Sequence, residues 1–111
     1  MEHSYQGFHR EVASFAGTVQ PGDPVALSGN GTVAPAEDGQ EFIGVCVSRQ
    51  GDLAGVQLCG AVEAGFTGAP PALGYGALAA AGSQAVKSAE SGRSRLILSV
   101  DEDAGRVVFL L

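Results

Sequence analysis

The sequence predicts an all-β fold, a small barrel or sandwich built from hairpins, on three observations. No window of eleven or more residues keeps an i, i+3, i+4, i+7 apolar stripe without a glycine or proline interrupting it, so helix is hard to place anywhere. Short runs rich in Val, Leu, Ile and Phe recur ten times between turn signals. Ten strands in a chain of 111 residues mean a barrel or a sandwich.

In chain order the strands are expected at residues 8–15, 24–28, 32–35, 42–49, 53–59, 61–66, 75–80, 84–87, 95–100 and 106–111. Phe8 with Val12 or Phe15 would point the first strand inward. Gly29, Asn30 and Gly31 supply residues that tolerate positive φ, and so turn the second strand into the third. Gln50, Gly51 and Asp52 turn the fourth into the fifth. Residues 70–82 mix helix-favouring alanines with opposing glycines and prolines; the entropy glycine loses inside a helix decides for strand. Residues 101–105 form a five-residue loop closing the last hairpin, whose core side chains are expected to be Leu96, Leu98, Val100, Val107 and Phe109.

A shift of 53 positions lays Ile43, Val45 and Val47 on Leu96, Leu98 and Val100, Val33 on Val86, and Leu58 on Leu111; a shift of 52 lays Gly22 on Gly74. Two copies of a hairpin pair suggest a pseudo-symmetric β-structure in which neither half buries its face alone. The alternative is that strand–turn sequences are alike at this level. The expected organisation is an N-terminal arm at residues 1–7 followed by a single all-β domain at residues 8–111.

Glycine and alanine, 17 each, make up nearly a third of the chain, while Val, Leu, Ile and Phe together number 28, above the roughly 20% below which disorder is the default. The chain should fold. Its net charge of −6 gives no field that gathers phosphates, which disfavours nucleic acid as a direct partner. Neither a signal peptide nor an apolar run of about 18 residues is visible, so a soluble, non-exported product away from the membrane is expected. Cys46 and Cys59 suit neither a disulfide scaffold nor a C-x-x-C motif. A hairpin through Gly51 puts Cys46 opposite residues 55–56 and leaves Cys59 on the order of 10 Å along the partner strand, beyond the reach of a bridge.

Chemistry is hard to find. Asp101, Glu102 and Asp103 with Gly105 lack the spacing of a calcium loop and read as an acidic hairpin tip. His3 and His9 have no third ligand nearby, so no metal is expected. Gly74, Gly76 and Ala79 match a dinucleotide fingerprint in letters only, without the helix that would hold a pyrophosphate. No G-x-S-x-G occurs, both histidines fall in the first nine residues, and the carboxylates gather in turns. Asn30, Gly31 and Thr32 fit a glycosylation pattern already explained as a turn. No catalytic residue and no cofactor is therefore expected.

Val19-Gln20-Pro21-Gly22-Asp23-Pro24-Val25-Ala26-Leu27, then Gly31-Thr32-Val33-Ala34-Pro35-Ala36, then Phe42-Ile43-Gly44-Val45 resembles the small bacteriophage capsid cement or head-decoration family. Its members open with a P-G-D-x-V strand, pass through a hairpin to an A-x-A segment and reach an I-G-V strand. Residues 55–62 and 74–78 resemble the family's second half, although Tyr75 stands where members often place Asp. The resemblance runs from about Phe15 to Val100.

It implies a non-enzymatic virion protein of a phage or prophage, made in the bacterial cytoplasm, that sits on the capsid exterior and reinforces it. The implied partners are the major capsid protein and further copies of the chain, a trimer being favoured. Residues 1–15 hold three of the seven aromatics and both histidines, which makes His3, Tyr5 and Phe8 the candidate capsid contacts. The competing classes are a small β-barrel module that binds carbohydrate or another ligand, opposed by the absence of Trp, and a compact enzyme, opposed by the missing constellation.

Overall fold

The structure is a computed structural model that describes residues 11–82 and 84–111. All ten expected strands are present: β1 (Glu11–Ala16), β2 (Pro24–Gly29), β3 (Thr32–Pro35), β4 (Gly44–Gln50), β5 (Leu53–Cys59), β6 (Ala61–Phe66), β7 (Gly74–Ala80), β8 (Ala85–Ala89), β9 (Ser94–Asp101) and β10 (Arg106–Leu110). The stretch that mixed alanine with glycine and proline is β7. The expected arm at residues 1–7 and the first three residues of the expected opening strand lie outside the described residues.

The strands close into two barrels, in the orders β1-β3-β2-β4-β5 and β6-β8-β7-β9-β10. Counted from its own first strand, each half has the same order, so the internal repeat is a repeat of topology. Each barrel is closed by a short parallel seam, Ala16 on Thr32 in the first, and Gly65 and Phe66 on Ala85 and Val86 in the second. Each carries a bulge at the corresponding place: Val47 is the extra residue between Cys46 and Ser48 opposite β5, and Leu98 the extra residue between Ile97 and Ser99 opposite β10.

Those ladders refine the alignment of the halves. Val56 faces Cys46 and Phe109 faces Ile97, so the offset is 53 on β5 and β10 but 51 on β4 and β9. The difference arises because the loop at 102–105 is two residues longer than the one at 51–52. Val45 thus corresponds to Leu96 and Val47 to Leu98, instead of the pairing that a uniform shift gives. Val33 and Val86, both buried beside their seams, do correspond.

The closing hairpin departs from expectation in the same place. Val107 and Phe109 are fully buried and Val100 packs against the core, but Leu96 and Leu98 lie on the outer face and Arg95 and Ile97 point in. The bulge at Leu98 breaks the period of two, so Leu96 and Val100, four apart, face opposite ways.

Cys46 pairs with Val56, within the expected register, and both cysteines are free. Cys46 is only 1% exposed, donates its thiol to the Ser48 carbonyl at 3.2 Å, and burial pushes its pKa up, whereas Cys59 is partly exposed. Native protein should therefore react rapidly with one equivalent of thiol reagent, at Cys59, and with two after denaturation without reductant. Fewer than two in the denatured chain would contradict the register.

Candidate functional site

The two barrels meet through a strap formed by residues 36–43, which leaves β3, crosses onto the second barrel and returns to β4. Gly39 donates its backbone N–H to the Ala80 carbonyl at 2.8 Å, and Ala80 donates to the Gln40 carbonyl at 2.9 Å, so the strap adds two sheet-like bonds to the end of β7. Asp38 pairs with Lys87 at 2.9 Å. The Glu41 carboxylate accepts the Arg93 backbone N–H at 2.7 Å. Phe42 is the plug: its ring lies edge-on to Phe109 at 6.0 Å, and Ala36, Phe42 and Val45 join one buried cluster with Val62, Ile97, Val107 and other residues of the second barrel.

Arg95 is a buried charged group at this joint, with only 5% of its surface exposed. Its guanidinium lies 4.4 Å from the centre of the Phe42 ring and donates Nη2–H to the Phe42 carbonyl at 2.6 Å. Nε and Nη1 are buried without a partner. Burial, with Arg93 adding repulsion against the pull of Glu41, lowers its pKa from the usual guanidinium range. The stacking of its planar head on the Phe42 ring offsets part of the cost of burying a cation that keeps one hydrogen bond. The position corresponds to Gly44 in the first barrel, where a Cβ would collide with the Gln57 carbonyl oxygen.

The segments that carry the family resemblance occupy this same region. Gly22 takes φ +98°, which disfavours any side chain, and Pro21 accepts the Gln84 side-chain amide at 3.2 Å, tying the turn before β2 to the second half. Asp23 is buried and accepts the Gln20 backbone N–H at 2.9 Å, and Pro24 and Val25 are fully buried behind it. Gln57, buried in β5, donates its amide to the carbonyls of Cys59 and Ala61 on either side of Gly60, where the chain passes from one barrel to the other. Part of those segments reaches the joint, through Pro21, Ala26, Ala36, Phe42 and Val45, while Val19, Val25 and Val33 fill the first barrel's own core.

His3, Tyr5 and Phe8, the candidate capsid contacts, lie outside the described residues. Among the described residues no three His, Cys, Asp or Glu side chains gather as a metal site would require, and no helix is long and apolar enough to cross a membrane. Residues 101–105 form a turn in which the Asp101 carboxylate accepts the Ala104 N–H at 3.1 Å, as an acidic hairpin tip would. Sequence reasoning missed Glu41, Phe42, Gln57 and Arg95 as a functional group. The available signal was polarity out of place: Gln57 between Val56 and Leu58, and Arg95 next to Leu96-Ile97-Leu98, are polar residues inside apolar strands. Comparison of the chain with protein-family models, with curated proteins and with solved structures finds no match in any of the three.

Proposed function

We propose that this chain is a non-enzymatic cement protein of a phage or prophage virion, bound to the outside of the capsid shell and holding its subunits together. The observation that supports the reading is that segments resembling the cement family reach the joint between the barrels, through Ala26, Ala36, Phe42 and Val45 in the core cluster of the second barrel and through Pro21 bonded to Gln84. A cement must transmit load without yielding. A body of two closed barrels, with a shared core and a strap bonded across the joint, meets that need. Closed barrels leave no long sheet edges to peel, and few long charged side chains must be immobilised on docking. The partner is the major capsid protein, with neither nucleic acid nor membrane in direct contact, and the chain acts as a homo-oligomer, a trimer by the resemblance. The small ligand-binding barrel is the second reading. Tyr75, 79% exposed on the outer face of β7, is the feature that favours it.

Co-sedimentation with empty expanded shells of the major capsid protein encoded in the same genome tests the assignment. Saturable binding at a fixed ratio to shell subunits is expected; absence of binding to such shells, with binding to a glycan array instead, would favour the second reading. In the same assay a chain lacking residues 1–6 should melt at nearly the full-length temperature yet bind shells more weakly, by roughly tenfold if Tyr5 is an anchor. Equal binding by both chains would remove the arm from the mechanism.

A further inference from the structure

Asn30 is the only asparagine in the chain, and Gly31 follows it. Such a pair can modify itself. The backbone nitrogen of the glycine attacks the asparagine side-chain carbonyl when the turn is open enough to bring them together, and glycine puts no side chain in the way. The pair sits at the tip of the turn from β2 to β3, and both residues are exposed. Gly31 holds φ +63°, and a side-chain carbon added there would meet nothing within 4 Å. Among the described residues, neither the Asn30 side-chain amide nor the Gly31 N–H has a hydrogen-bond partner.

The strap holds a pair of related chemistry, Asp38 followed by Gly39, with Gly39 at φ +85° and both residues exposed. There the reacting groups are engaged. Gly39 donates its N–H to the Ala80 carbonyl at 2.8 Å, and the Asp38 carboxylate is paired with Lys87 at 2.9 Å. The fold locks the pair in the strap and leaves the pair in the turn open. We propose that Asn30 is a self-modification site that converts in the folded protein to aspartate and isoaspartate, with water as the only co-reactant.

The Gly31 nitrogen loses its proton and bonds to the carbonyl carbon of the Asn30 side chain. The bond from that carbon to the side-chain nitrogen breaks, and the nitrogen leaves as ammonia with the proton. Water then opens the succinimide ring. Cleavage at the side-chain carbonyl gives aspartate on the ordinary backbone; cleavage at the main-chain carbonyl gives isoaspartate, whose backbone gains a methylene. Either product adds one negative charge to the −6 of the chain. Isoaspartate does more, because the Gly31 carbonyl accepts the Ala16 N–H at 3.1 Å, beside Ala16–Thr32, the single register pair between β1 and β3 among the described residues. This seam has no slack, since a side chain at Gly17 would strike the Val33 carbonyl. A longer backbone at position 30 moves the Gly31 carbonyl away from Ala16 and loosens the first barrel where it closes. The site is independent of capsid binding, so failure of either reading leaves the other standing.

Peptide mapping by mass spectrometry, with isoaspartate labelled by its methyltransferase, tests this on native protein held in mildly alkaline buffer at 37 °C. Asn30 should convert within about tenfold of the rate of a free peptide of residues 28–33, because its reacting groups need no prior opening. Isoaspartate at Asp38 should form at least about tenfold more slowly in the native protein than in the urea-unfolded chain. The isoaspartate form, separated by chromatography, should exchange its Ala16 amide hydrogen about tenfold faster than Asn30→Asp, which carries the same charge on an unaltered backbone. Asn30 still intact when the peptide has fully converted, isoaspartate at Asp38 forming as fast in the native protein as in the unfolded chain, or an isoaspartate form whose Ala16 amide exchanges like that of Asn30→Asp would overturn the proposal.

Discussion

Phe42→Ala should lower the stability of the protein by about 3–5 kcal/mol, the cost of emptying a large aromatic site in a packed core. That is a large part of the roughly 5–15 kcal/mol available to a domain of this kind. Phe42 is 2% exposed, lies edge-on to Phe109 and covers the Arg95 guanidinium. Removing its ring opens a cavity at the centre of the joint and takes the stacking partner from a cation that keeps only one hydrogen bond. Arg95→Met should act in the opposite sense. It keeps an unbranched apolar stem at the buried position and removes the two unpartnered nitrogens, so it should leave stability nearly unchanged or raise it. Chemical denaturation of the two variants measures both. A Phe42→Ala loss below about 1 kcal/mol would mean that the strap is not the fastening between the barrels.

Removal of residues 95–111 should abolish cooperative folding altogether. The deletion takes β10 and all of β9 but Ser94, the strands that join β6 to β7 around the second barrel. β6 would keep only its short seam of two residue pairs with β8. Ile97, Val107 and Phe109 leave the core together, each burial having contributed roughly 1.5–3 kcal/mol. Phe42 then loses its seat, so the first barrel loses the anchor of its own strap. A truncated chain that still melted cooperatively would show that the first barrel folds without the second.

Strand positions were legible because they depend on local chemistry: apolar runs of the right length, punctuated by glycine, asparagine and aspartate. Even β7 could be placed, since glycine at 74 and 76 disfavours helix whatever surrounds it. The pairing of Cys46 near residue 56 was legible for the same reason, a short turn at Gly51 fixing the register. What could not be read were features set by distant contacts. The bulge at Leu98 turns Leu96 outward and Arg95 inward, and nothing within β9 distinguishes that phase from its opposite. The closure into two barrels depends on which strands meet at the seams, 16 residues apart at Ala16 and Thr32 and 20 apart at Gly65 and Ala85. The strap resembles any polar connection until Phe42 is seen to be buried in the other barrel. The repeat could be glimpsed but not aligned, because a loop two residues longer in the second half changes the offset partway through.

The proposal that the chain is a cement protein is tested most directly by its effect on the stability of capsid shells. Empty expanded shells of the major capsid protein from the same genome, heated with and without saturating amounts of this chain, report shell disruption by light scattering or calorimetry. A cement adds binding free energy to the intact shell alone, so disruption should move to higher temperature, and further as the free protein concentration rises. Shells that bind the protein and still come apart at the temperature of bare shells would contradict the account.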